Sequence, residues 1–74
     1  MSKELFKILR LVAGYSSQYD YAEVLGIGQS AVSRMETGSL TISRKTEQKV
    51  LNLMNEKEVS DKTIKLLAEM LGNK

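Results

Sequence analysis

The 74-residue chain contains no cysteine and no histidine. Without cysteine, neither disulfides nor thiolate metal sites can staple the fold. Without histidine, the usual general base, the usual partner of a nucleophilic serine and the commonest metal ligand are all missing. Nine carboxylates are left as acid/base groups, and none of them forms an obvious paired site. Serines are frequent, but they fall at helix starts and in turns, where capping explains them. The expectation is a protein that is not an enzyme, with no cofactor, no metal and no small-molecule substrate. Long apolar runs are absent as well. The longest, Leu11 to Ala13, is far too short to span a bilayer, and no signal-peptide layout precedes a small-residue cleavage site. A cytoplasmic protein with no membrane partner is the default reading.

Charge of one sign is also scarce: eleven Lys or Arg stand against nine Asp or Glu, a net charge of +2. A protein relying on nonspecific attraction to phosphates is usually more basic. Distribution matters more than the sum. Between Gln29 and Lys49 lie Arg34, Arg44, Lys45 and Lys49 against only Glu36 and Glu47. Length and composition predict one small domain over residues 1–74, with a core that is marginal without very regular packing or oligomerisation.

The stretch that organises the chain runs from Gln18 to Gly38. Tyr21, Ala22 and Leu25 fall on one face of a helix, and Val32 and Met35 do the same for a second. The apolar phase changes at Gly26 and Gly28, so the stretch reads as two short helices around a sharp turn. Gly26 suits the left-handed conformation that ends a helix, and Ile27 follows as an apolar plug. This is the logic of a helix-turn-helix, whose first helix braces and whose second is presented outward. With Val32 and Met35 inside, Gln29, Ser30, Ser33 and Arg34 lie on the outward side. Their chemistry suits base edges: Gln pairs with adenine, Arg with guanine, Ser with either.

Helical patterning continues on both sides. Ser2 caps a first helix to about Ala13, with Leu5, Ile8, Leu9 and Val12 as its apolar stripe. Ser17 is placed as the cap of the second helix, with Asp20 completing a capping-box-like pair. After Gly38 comes a hydroxyl-rich turn anchored by Ile42. Ser43 or Thr46 then caps a fourth helix bearing Val50, Leu51, Leu53 and Met54. Ser60 caps a fifth, where Ile64, Leu67, Ala68 and Leu71 form a stripe that Leu66 and Met70 widen. That arc is either core or a surface that meets another chain, with Ile64, Leu67, Met70 and Leu71 as its candidate residues. The expected fold is all-α, a compact five-helix bundle containing the helix-turn-helix.

Gln18, Ala22, Leu25, Gly26, Ile27, Gln29, Ser30, Val32, Ser33, Arg34, Glu36 and Gly38 together resemble the pattern of lambda-repressor-like, Cro/repressor-type helix-turn-helix domains. The resemblance implies a DNA-binding transcription regulator that reads double-stranded DNA with its third helix, usually as a homodimer, and a nucleoid-associated location. It implies base contacts by Gln29, Ser30, Ser33 and Arg34, and phosphate contacts by Gln18, Thr37, Ser39, Arg44 and Lys45. In many members an arginine on the first helix pairs with the glutamate near the end of the recognition helix, here Arg10 and Glu36. The alternative for those two is a pair of solvated charges. The chain departs from the family pattern in three places. Glycine stands at position 28 where many relatives carry serine or threonine, no proline follows Gly38, and the Gly14–Ser17 connection is one residue longer than the common form. The modest charge, the missing proline and the wide apolar arc of the fifth helix keep a second function open: a protein-interaction module on the same fold that binds another regulator, as an antirepressor or antitoxin does.

Overall fold

A computed structural model describes residues 1–72. Among the described residues the chain is all-helical: α1 (Lys3–Val12), α2 (Gln18–Leu25), α3 (Gln29–Thr37), α4 (Arg44–Glu56) and α5 (Asp61–Met70). Serine hydroxyls open four of these helices: Ser2 accepts from the Leu5 amide, Ser17 from Tyr19 and Asp20, Ser43 from Thr46, and Ser60 from Thr63. Ser43, not Thr46, is therefore the cap of α4, and Thr46 is buried inside its first turn. Such a cap satisfies one of the amides that a helix start leaves without an intrahelical partner, and is worth about 1 kcal/mol. α3 is the exception, because it opens on Gly28 and has no side-chain cap.

The turn between α2 and α3 is made by Gly26, which adopts φ +71° and closes α2 in the left-handed region. A side chain is strained in that conformation, whereas glycine is not. Ile27 then packs against the core, and Gly28 returns to extended backbone to start α3.

Periodicity turns into packing as the stripes require. α1 and α2 both lie against α3, α4 packs on α2, and α5 packs on α1. Phe6, Leu9, Tyr21, Val32, Val50 and Met54 are fully buried at the centre. Each contributes about 1.5–3 kcal/mol of burial free energy. The Phe6 and Tyr21 rings meet edge to face at 5.5 Å, and Tyr15 lies 5.9 Å from Tyr21 on its other side. Leu40 and Ile42 pin the α3–α4 loop to the core.

The fifth helix divides its stripe. Ile64 joins the core, and Leu67 and Ala68 pack against it, but Leu66, Met70 and Leu71 face outward. This corrects the expected contact surface: Ile64 is spent on the core of its own chain, and Leu67 is half-buried there. No helix among the described residues is long and apolar enough to cross a membrane.

Candidate nucleic-acid interface

The outward face of α3 is fixed from behind by a buried polar clamp. Arg10, near the end of α1, donates from Nε to Glu36 Oε2 at 2.7 Å and from Nη2 to Glu36 Oε1 at 3.3 Å. Its third nitrogen, Nη1, donates to the backbone oxygens of Tyr15 and Ser16 at 2.9 and 2.8 Å. One planar guanidinium thus ties α1, the α1–α2 connection and α3 together, which suits its rigid fork of donors. The side chains of Arg10 and Glu36 are only 6% and 3% exposed, so they are not solvated charges. Gln18 completes the clamp by donating from Nε2 to Glu36 Oε1 at 2.9 Å.

Tyr21 is buried next to this clamp. Burial pushes its phenol pKa well above the ordinary range, the negative charge of Glu36 adds to the rise, and Arg10 opposes it. Its hydroxyl has no hydrogen-bond partner. The phenol is held neutral, and the clamp charges are satisfied by each other, by Gln18 and by backbone carbonyls.

On the opposite side of α3, Gln29, Ser30 and Arg34 are exposed, while Val32 and Met35 point into the core. Ser33 is half-buried, so the row expected to face outward is three exposed side chains with the serine at its edge. Arg34 has no ion-pair partner among the described residues. Its guanidinium is therefore available to a guanine edge or a phosphate.

The candidate phosphate contacts fall into three groups. Arg44 and Lys45 are exposed at the start of α4. Thr37 and Ser39 sit around the end of α3, where both hydroxyls donate to the Arg34 carbonyl at 3.1 and 3.3 Å. That oxygen also accepts from the amides of Gly38, Ser39 and Leu40. Either hydroxyl can rotate towards a phosphate without leaving the carbonyl unsatisfied, so the switch carries little penalty. Gln18 differs, because its side-chain amide is committed to Glu36. Only its backbone at the start of α2 and its side-chain oxygen stand apart from that bond. The spacing of Gln18 placed it at a helix start, but nothing local in the sequence joined it to Glu36 across the fold.

Among the described residues no group of three or more His, Cys, Asp or Glu is arranged to hold a metal ion. The geometry is a short helix braced on its inner side, with hydrogen-bonding side chains outside and cations at the neighbouring helix start.

A family model for helix-turn-helix domains matches residues 6–59, from within α1 to just past α4. The chain belongs to the lambda-repressor-like, Cro-type helix-turn-helix family. It is a family of DNA-binding transcription regulators rather than of enzymes. Neither the curated proteins nor the solved structures give a significant match to this chain.

Proposed function

We propose that this protein is a sequence-specific, repressor- or Cro-like regulator that sets α3 in the major groove of DNA and acts as a homodimer. One observation carries the reading. Gln29, Ser30 and Arg34 form an exposed hydrogen-bonding row on a helix whose rear is locked by Val32, Met35 and the Arg10–Glu36 clamp. Packing accounts for the inner residues of α3, and a docked base edge accounts for the outer ones. In this reading Gln29, Ser30, Ser33 and Arg34 give specificity. Thr37, Ser39, Arg44, Lys45 and the start of α2 at Gln18 give affinity and register. A two-fold dimer of such domains engages half-sites about one helical turn, ~34 Å, apart.

Selection of bound fragments from random duplex DNA, followed by band shifts over a range of salt, tests the proposal. The expected result is one enriched, two-fold related sequence. Arg34→Ala then costs about 1–3 kcal/mol on that sequence and relaxes preference at one base pair. Equal affinity of wild type and Arg34→Ala for every duplex tried rejects base reading by this residue. Absence of any salt-dependent shift, together with a stable complex with another regulator, would favour the protein-interaction module instead. The outward Leu66 and Met70 are the residues such a partner would cover.

A further inference from the structure

We infer that Lys3, at the start of α1, is a phosphate-contacting residue that completes the backbone-binding edge at the end of α3. The inference rests on the DNA-binding reading above and adds to it a residue outside the helix-turn-helix motif.

The geometry begins at Gly38, which closes α3 with φ +88°. A Cβ placed on Gly38 would lie 3.0 Å from Lys3 Cδ and 3.3 Å from Lys3 Nζ. The lysine stem therefore lies across the bare glycine backbone, and its ammonium reaches the loop between Thr37 and Ser39. Those are the two hydroxyl residues assigned above to phosphates. Lys3 belongs to neither of the two ion pairs among the described residues. Its charge is uncompensated by any carboxylate there.

Helix electrostatics give only a partial explanation. A cation in the first turn of α1 is unfavourable to that helix, while the same ammonium is favourable at the end of α3. Yet the Arg34 carbonyl at that end already accepts from the amides of Gly38, Ser39 and Leu40 and from two hydroxyls. Capping of that carbonyl does not need the lysine. The arrangement leaves a flexible cation with free donors at the glycine between two hydroxyl residues that can turn outward, which is the donor set a phosphodiester oxygen takes. The glycine at position 38 serves two purposes here. It permits the positive φ, and it leaves room for the lysine stem to cross the loop.

The test compares wild type with Lys3→Met, Lys3→Arg and Lys62→Gln on a random-sequence duplex, with affinity followed from about 50 to 200 mM salt. Lys3→Met keeps a stem that can lie over Gly38 and removes the charge. Its slope of log affinity against log salt is expected to become shallower by about 0.9, the value of one lost phosphate contact. Lys3→Arg is expected to keep the wild-type slope. Lys62→Gln removes the same charge from α5 and is expected to leave the slope unchanged. Thermal unfolding of Lys3→Met is expected to match wild type. A wild-type slope with a lowered Tm would overturn the inference and make Lys3 a packing residue at the end of α3. Equal slope losses in Lys3→Met and Lys62→Gln would overturn it in favour of net charge. Failure of wild type itself to bind the duplex would instead remove the DNA-binding reading on which the inference stands.

Discussion

Arg10 and Glu36 are charged and only 6% and 3% exposed, whereas Leu66 and Met70 on α5 are apolar and 55% and 72% exposed. Both pairs run against ordinary expectation, in which charges face water and large apolar groups do not. They differ in whether the chain itself resolves the anomaly. At the clamp every charged group finds a partner: the guanidinium bonds Glu36, Tyr15 and Ser16, and the carboxylate also takes Gln18. On α5 nothing among the described residues covers the outward side chains. The clamp lies within the stretch matched by the helix-turn-helix family model, and α5 begins beyond its end at residue 59. A self-satisfied site fixes geometry within one chain, while an unsatisfied one leaves surface for a second.

The strongest way to break the comparison is at Arg10. Arg10→Ala leaves Glu36 buried without its cation and strips donors from the Tyr15 and Ser16 carbonyls. The expected cost is about 3–5 kcal/mol, a large part of the total stability of a chain this size. Urea unfolding followed by circular dichroism measures it. The double variant Arg10→Met with Glu36→Leu removes both charges and is expected to recover most of the loss, since a buried pair is often replaceable by apolar groups of similar volume. A single variant as stable as wild type would mean that the clamp contributes nothing.

The opposite pole is tested by Met70→Glu. Monomer stability is expected to stay within about 0.5 kcal/mol, because the side chain is exposed. If α5 covers its partner's α5 in a dimer, association weakens by about 1.5 kcal/mol or more, roughly tenfold, from lost burial and added charge. Sedimentation across a concentration series reads both states. An unchanged dimer constant places the contact elsewhere, and a monomer at all concentrations in wild type removes the homodimer.

The sequence made some of this legible and concealed the rest for definable reasons. Helix starts were readable because Ser2, Ser17, Ser43 and Ser60 cap through local bonds of two or three residues, and local bonds leave local patterns. The inner faces of α2 and α3 were readable because Tyr21, Ala22, Leu25, Val32 and Met35 keep helical spacing. Periodicity failed on α5, where the stripe shows which side is apolar but not how far the neighbouring α1 extends to cover it. Gln18 shows in sequence only as a candidate phosphate ligand, because its bond to Glu36 crosses eighteen residues. Lys3 carries no local signal of its place, since only the folded chain brings it over Gly38.

A smaller effect separates the satisfied charges of the clamp from the one polar group beside them that is not satisfied. Tyr21→Phe deletes a buried hydroxyl without a partner, so at neutral pH it is expected to be neutral or stabilising by up to about 1 kcal/mol. Its pH dependence has a definite sign. The folded-state pKa of Tyr21 is raised above its unfolded value of about 10. Stability from this group is therefore fully present below pH ~10 and is lost as pH rises, because the unfolded chain releases the phenol proton first. The loss is at most about 1.4 kcal/mol per pH unit, and Tyr21→Phe is expected to lack it. Parallel alkaline unfolding curves for wild type and variant would show that the phenol is not held neutral by the fold.

The smallest expected effect lies at Gly28, where α3 starts without a side-chain cap. The residue has φ −76° and ψ 150°, which any L-residue adopts, and a Cβ there would meet nothing within 4 Å. Gly28→Ser therefore fits without strain and supplies the oxygen that the other four helices already have. Because glycine is only slightly worse than serine in this role, the gain is expected to be a few tenths of a kcal/mol. Chemical denaturation detects it as a small rise in midpoint at constant slope. A destabilised Gly28→Ser would show that the bare glycine is required by the turn itself. If stability rises but DNA affinity falls, the missing cap reflects close approach of the backbone to the duplex at the start of α3, and the weakest cap in the fold is then explained by what docks against it.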